Sequence, residues 1–170
     1  MAITGAVLAC KSKEKAVEPQ NGDEVTQRQA SHATTKTMPV GRLLRVSYSH
    51  QGMMMERFSH FDLQHTAEGN KFSFRYFSDE VSYEVSDTLF DAARRIIEEE
   101  RMFEYDSYYS PKTDDRILDG YSWSFDARFE GDGHISSSGS HVCPKGDGLS
   151  RISRLFSNAA QQLVEAENNQ

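Results

Sequence analysis

Residues 119–140, DGYSWSFDARFEGDGHISSSGS, hold the pattern that most restricts the fold of this chain. Tyr121, Trp123, Phe125, Ala127 and Phe129 alternate with Ser122, Ser124, Asp126, Arg128 and Glu130. Side chains of a strand point to opposite faces with a period of two, so the stretch reads as a strand with one aromatic face and one wet face. Gly131-Asp132-Gly133 supplies residues that tolerate the positive φ of a tight turn, and His134-Ile135-Ser136 begins a return strand. This hairpin carries the only tryptophan, and its aromatic face requires a covering layer.

The rest of the chain supplies both sheet and cover. Leu44, Val46 and Tyr48 alternate with Arg45 and Ser47, and after a Gln51-Gly52 turn Met55 to His65 runs back as a second strand. Glu68-Gly69-Asn70 is a further turn, followed by Lys71 to Phe77 and then Val81, Tyr83 and Val85, which completes an antiparallel meander. Ser86 stands where a helix N-cap belongs, ahead of the apolar stripe Leu89, Phe90, Ala93, Ile96 and Ile97. Met102 to Tyr109 and the break at Ser110-Pro111 read as an irregular crossover to the hairpin. Leu149, Ile152, Leu155, Phe156, Ala159, Ala160 and Leu163 keep helical spacing to the end, with fraying from Glu165. The expected fold class is α+β: a mostly antiparallel sheet of about six strands (β-β-β-β-α-β-β-α) with two helices packed on one face.

The N-terminal quarter is different. Residues 1–10 end in Val7-Leu8-Ala9-Cys10, a lipobox-like pattern at the end of a signal segment cut short, with Cys10 as the lipid anchor. Lys11 to Met38 contains no aromatic residue and too few apolar ones to offset its ordering entropy. The expected organisation is therefore a truncated signal at 1–10, a disordered polar tether at 11–40 and a single α+β domain at 41–168. A net charge of −7 argues against general nucleic-acid binding, which needs a basic patch for phosphates. No apolar run is long enough to span a membrane as a helix, so membrane contact is expected through the lipid anchor only.

Few residues suggest chemistry. Ser138, Gly139, Ser140 and His141 form a loop that invites either a serine nucleophile beside its base or a cradle for an anion. Asp126 or Asp147 would be the orienting acid of such a nucleophile. Ser and Gly at a strand end more often satisfy the backbone as it turns, and no G-x-S-x-G elbow is present. Tyr105, Tyr108 and Tyr109, with Phe103, offer either an exposed ring patch for a sugar or peptide or a plug for the sheet edge. His50, His60 and His65 with Asp62 do not give three ligands on one face of regular strands, so neither metal nor cofactor is assigned. Cys143 lacks an activating base other than His141 and reads as inert, and Glu98 to Glu100 read as a solvated helix end.

Asp119-Gly120-Tyr121-Ser122-Trp123, the Gly turn, Ser137-Ser138-Gly139-Ser140, Pro144 and the closing helix together resemble a recurring lipoprotein-like domain of uncharacterised bacterial proteins, over about residues 42–165. His141 stands where that pattern has Asn, and Lys145 to Gly148 is particular to this chain. The resemblance implies a place on the bacterial cell envelope, with cytoplasm as the alternative, and carries no activity, ligand or catalytic residue. The expectation is a lipid-anchored, non-catalytic binding or interaction domain for an unknown protein or small-molecule ligand. The alternatives are a small hydrolase using Ser136 to His141, or an interaction or inhibitor module using Tyr105 to Tyr109.

Overall fold

The structure is a computed structural model that describes residues 36–52, 57–111 and 121–169. The meander comprises β1 (Leu43–Gln51), β2 (Phe58–Thr66), β3 (Gly69–Tyr76) and β4 (Asp79–Glu84), followed by helix α1 (Asp87–Glu99). Beyond it come the two-residue strand β5 (Tyr108–Tyr109), β6 (Ser122–Phe129), β7 (His134–Ser140) and helix α2 (Gly148–Asn168). They form one seven-stranded sheet in the order β4-β3-β2-β1-β6-β7-β5, antiparallel except where β5 runs parallel to β7. The α+β class and the two helices follow the sequence. The added strand is β5, which pairs Tyr108 with Ser138 and Tyr109 with Gly139 inside the expected crossover.

One face of the sheet is roofed by both helices. Leu43, Val46, Phe61, Leu63, Phe72, Phe74, Trp123, Phe125 and Ala127 lie inward with Ile97, Ile152, Phe156 and Ala160. Phe156 meets the rings of Phe61 and Phe72 at 5.7 and 5.3 Å between centroids. Trp123 is only 4% exposed, and its indole N–H donates to the Val142 carbonyl at 2.8 Å. A Cβ at Gly139 would lie 2.6 Å from that indole nitrogen, so the absence of a side chain there lets β7 close over the ring.

Two bulges interrupt the strands. On β1, Leu43 pairs with Phe129 and Arg45 with Arg128, leaving Leu44 as an extra residue. Leu43 and Val46 are therefore both buried, and Leu44, which alternation places inward, is displaced to the half-buried outer side. On β2 the register shifts between Ser59 and Asp62, at His60 with φ +54°. Phe58 and Phe61 consequently both face the helices. The Met55 end of the expected second strand lies outside the described residues.

The acidic end of α1 does structural work that its sequence does not announce. Arg151 on α2 donates to Glu99 at 2.6 Å and to Glu100 at 2.7 Å. Glu100 also accepts the backbone N–H of Asp147 at the start of α2, and these partners, Arg151 first, hold its carboxyl below the usual range. Ser86 occupies the N-cap of α1 without a side-chain cap bond, and Asp87 instead accepts from Asn70 and Arg42, both at 2.9 Å. At the far end α2 stays helical through Asn168 rather than fraying from Glu165, where Tyr83 donates to Glu167. That bond pushes the Tyr83 hydroxyl up to about 12.

Candidate functional site

Among the described residues, no helix packs on the second face of the sheet. Cross-strand register places Ser82, Ser73, Asp62, Ser47, Asp126 and Ser136 in one row running from β4 to β7. A neighbouring row holds Ser49, Ser124 and Ser138. Small hydroxyls opposite one another satisfy each other: Ser49 and Ser124 are 2.8 Å apart, and Ser73 donates to Ser82 at 3.0 Å. Each carboxylate in the long row is held by a basic side chain from the adjoining row. Arg45 makes a bidentate pair with Asp62 at 2.8 and 3.0 Å. His134 Nε2 lies 2.6 Å from Asp126, and Arg128 Nε lies 3.6 Å from it.

The Ser-Gly segment lies at the edge of that face. Ser138 faces outward in β7, its N–H donating to the Ser107 carbonyl at 3.0 Å. Ser137 points inward, 2% exposed, and donates to the Asp106 carbonyl at 2.6 Å. Gly139 is consumed by its approach to Trp123. Ser140 Oγ and His141 Nδ1 come within 2.8 Å, and His141 adopts φ +61°. The two orienting acids proposed from sequence are engaged elsewhere: Asp126 with His134, and Asp147 at the α2 cap beside Glu100. His141 Nε2 is buried without a hydrogen-bond partner among the described residues, so the pair lacks a visible third member.

The three tyrosines diverge. Tyr105 is buried, its hydroxyl without a hydrogen-bond partner among the described residues and pushed up by burial. Tyr109 is half-buried, 5.8 Å from the Trp123 ring, and its hydroxyl accepts the N–H of Asp106 at 3.0 Å. Tyr108 alone faces water, 59% exposed. Two of these rings thus plug the sheet edge and one is presented outward. The histidines also stay apart. His50 stacks on Tyr48 at 5.6 Å, His60 is exposed at its bulge, and His65 lies against Phe90 at 3.8 Å. No cluster of metal-ligating side chains forms among the described residues.

Two cavities lie near the end of the sheet where β1 begins. One, about 230 Å³, is bounded by Arg42, His65, Asp87, Phe90, Asp91 and Arg94. The other, about 510 Å³, is bounded by Leu44, Arg45, Arg128, Phe129, Asp132 and His134 among others. Neither includes Ser140 or His141. Alternation in the sequence marks which residues leave the core, but the pairing of β1 with β6, distant in sequence, is what gathers Arg45, Arg128 and His134.

Comparison with known proteins found no family model, no curated protein and no solved structure that matches the chain. Cys143 is disulfide-bonded, with its sulfur 3.5 Å from the Tyr121 hydroxyl. The other cysteine of the sequence, Cys10, lies outside the described residues.

Proposed function

We propose that this chain is an envelope-anchored, non-catalytic binding domain that works through the open face of its sheet. The observation that supports it most is the row from Ser82 to Ser136. Six strands align small hydroxyls and two clamped carboxylates on a face that no helix covers among the described residues. The serines of such a face can donate to and accept from a partner, while Asp62 and Asp126 with their basic neighbours fix direction and partner choice. The roofed face, by contrast, is committed to the core.

Cys10 would supply the anchor, because several acyl chains on one cysteine hold a protein to a membrane where one chain does not. One sulfur cannot carry both a lipid thioether and a disulfide, so acylation of Cys10 requires that the disulfide of Cys143 be made to another chain. Intact mass of the non-reduced full chain, with membrane fractionation of wild type and Cys10→Ala, tests this directly. Loss of membrane retention in the variant is expected, and retention that survives it rules the anchor out. A fluorophosphonate probe that labels Ser140, and fails to in His141→Ala, would overturn the non-catalytic part of the proposal in favour of the hydrolase.

A further inference from the structure

The geometry points to a binding site for a small zwitterion, an α-amino acid with an apolar side chain, in the cavity at the bulged end of the sheet. This rests on the proposal above that the domain binds rather than catalyses, and it names a ligand class for one end of the same face. The cavity, about 510 Å³, falls in the range of small-molecule sites.

Two backbone irregularities coincide there. The β1 bulge displaces Leu44 outward beside Arg45. Past the end of β6, Gly131 and Asp132 both take φ +68°, a conformation that costs a residue with a side chain. Bulges and left-handed residues of this kind re-aim side chains, and both border the same cavity.

Register then sets Arg45, Arg128 and His134 side by side on β1, β6 and β7. Two guanidinium groups lie beside an imidazole in this row, and the guanidinium groups repel each other unless anions intervene. Asp62 and Asp126 intervene, but they do not use every donor. Arg45 spends Nε and Nη2 on Asp62, leaving Nη1, and His134 spends Nε2 on Asp126, leaving Nδ1. Arg128 reaches Asp126 through Nε, which leaves its two terminal nitrogens to face a ligand carboxylate.

The charge balance selects among ligands. The guanidinium groups of Arg45 and Arg128 are matched by the carboxylates of Asp62 and Asp126, which leaves His134 and Asp132 at the cavity. A phosphate dianion would meet three carboxylates against two guanidinium groups, and a lone cation would meet the arginines. A ligand with one carboxylate and one ammonium is neutral and can answer both, its carboxylate toward Arg128 and its ammonium toward Asp132. Leu44 and the edge of Phe129 supply apolar wall for its side chain.

The test is titration of the ¹⁵N-labelled full chain with L-leucine, followed through its amide resonances. Isocaproate, which lacks the ammonium, and isoamylamine, which lacks the carboxylate, serve as parallel probes. Saturable shifts centred on Arg128, Gly131, Asp132 and His134 are expected, with each truncated probe weaker by about tenfold or more. Arg128→Ala and His134→Ala, both dispersed as wild type, should each lose binding, and Ser124→Ala should retain it. The site is refuted if leucine gives no saturable shift up to about 20 mM, well beyond weak millimolar binding, if the three probes act alike, or if binding survives in Arg128→Ala. Failure here with Cys10-dependent membrane retention intact retires the site alone, whereas loss of that dependence strikes the broader proposal.

Discussion

The two faces of the sheet are made by the same strands and obey opposite rules. On the roofed face, rings and branched aliphatics pack against α1 and α2, and Gly139 must lack a side chain because Trp123 stands over it. On the other face, serines alternate with ion pairs that remain partly exposed, such as Arg45–Asp62 and Arg128–Asp126. Packed interiors respond to the loss of one methylene, while exposed ion pairs contribute little to stability. The difference teaches that residues on one face are held by folding, and that those on the other add little to it.

The largest effect should come from breaking the roofed face. Trp123→Ala removes a buried ring and the hydrogen bond to Val142, with an expected loss of about 3–5 kcal/mol of unfolding free energy in urea. Gly139→Ala attacks the same contact from β7, because the new Cβ has no room beside the indole. Overpacking of this type costs about 1–3 kcal/mol, so the variant should fold with a lowered denaturation midpoint. If Gly139→Ala matches wild type, Trp123 is not seated against β7 as described.

How much of this was legible in the sequence follows from the same contrast. Period-two alternation around Trp123 and helical spacing in α2 are strong, local burial signals, and both elements form there, with α2 running on to Asn168. Leu44 was misplaced because a bulge inserts one residue, and nothing in Leu43-Leu44-Arg45 says which leucine turns in. Strand β5 leaves no pattern in the sequence because two residues carry no period. It forms because the Ser107 carbonyl accepts the N–H of Ser138 and the Asp106 carbonyl accepts the hydroxyl of Ser137. The role of Glu99 and Glu100 is set by Arg151, about fifty positions away, which no local pattern reveals. The cavity was illegible for a related reason: Arg45, Arg128 and His134 meet only through strand order.

A smaller effect should separate the helix-to-helix ion pairs from the packing beneath them. Arg151 holds the Glu100 carboxyl below its usual range. A carboxylate depressed in the folded state adds stability above its unfolded pKa and loses it as pH falls through the folded value. Denaturation midpoints compared between about pH 6 and about pH 3 should therefore fall less steeply for Glu100→Gln than for wild type, with the two converging at the acid end. An unchanged slope would show that Glu100 and Arg151 are paired no better than groups in water.

The smallest change in stability belongs to the open face, and there smallness is the point. Ser124 meets Ser49 through one exposed hydrogen bond, so Ser124→Ala should shift the unfolding free energy by no more than about 0.5 kcal/mol. Asp126→Asn keeps an oxygen for His134 but surrenders the charge that restrains both His134 and Arg128. Its stability should stay within about 1 kcal/mol of wild type, as for other exposed ion pairs. Yet it leaves the Arg128 guanidinium without its counter-charge beside the cavity, so leucine binding should weaken while isocaproate binding rises. A stability loss from Asp126→Asn as large as that from Trp123→Ala would mean that the open face, too, is part of what folds the chain, and the division of labour between the two faces would fail.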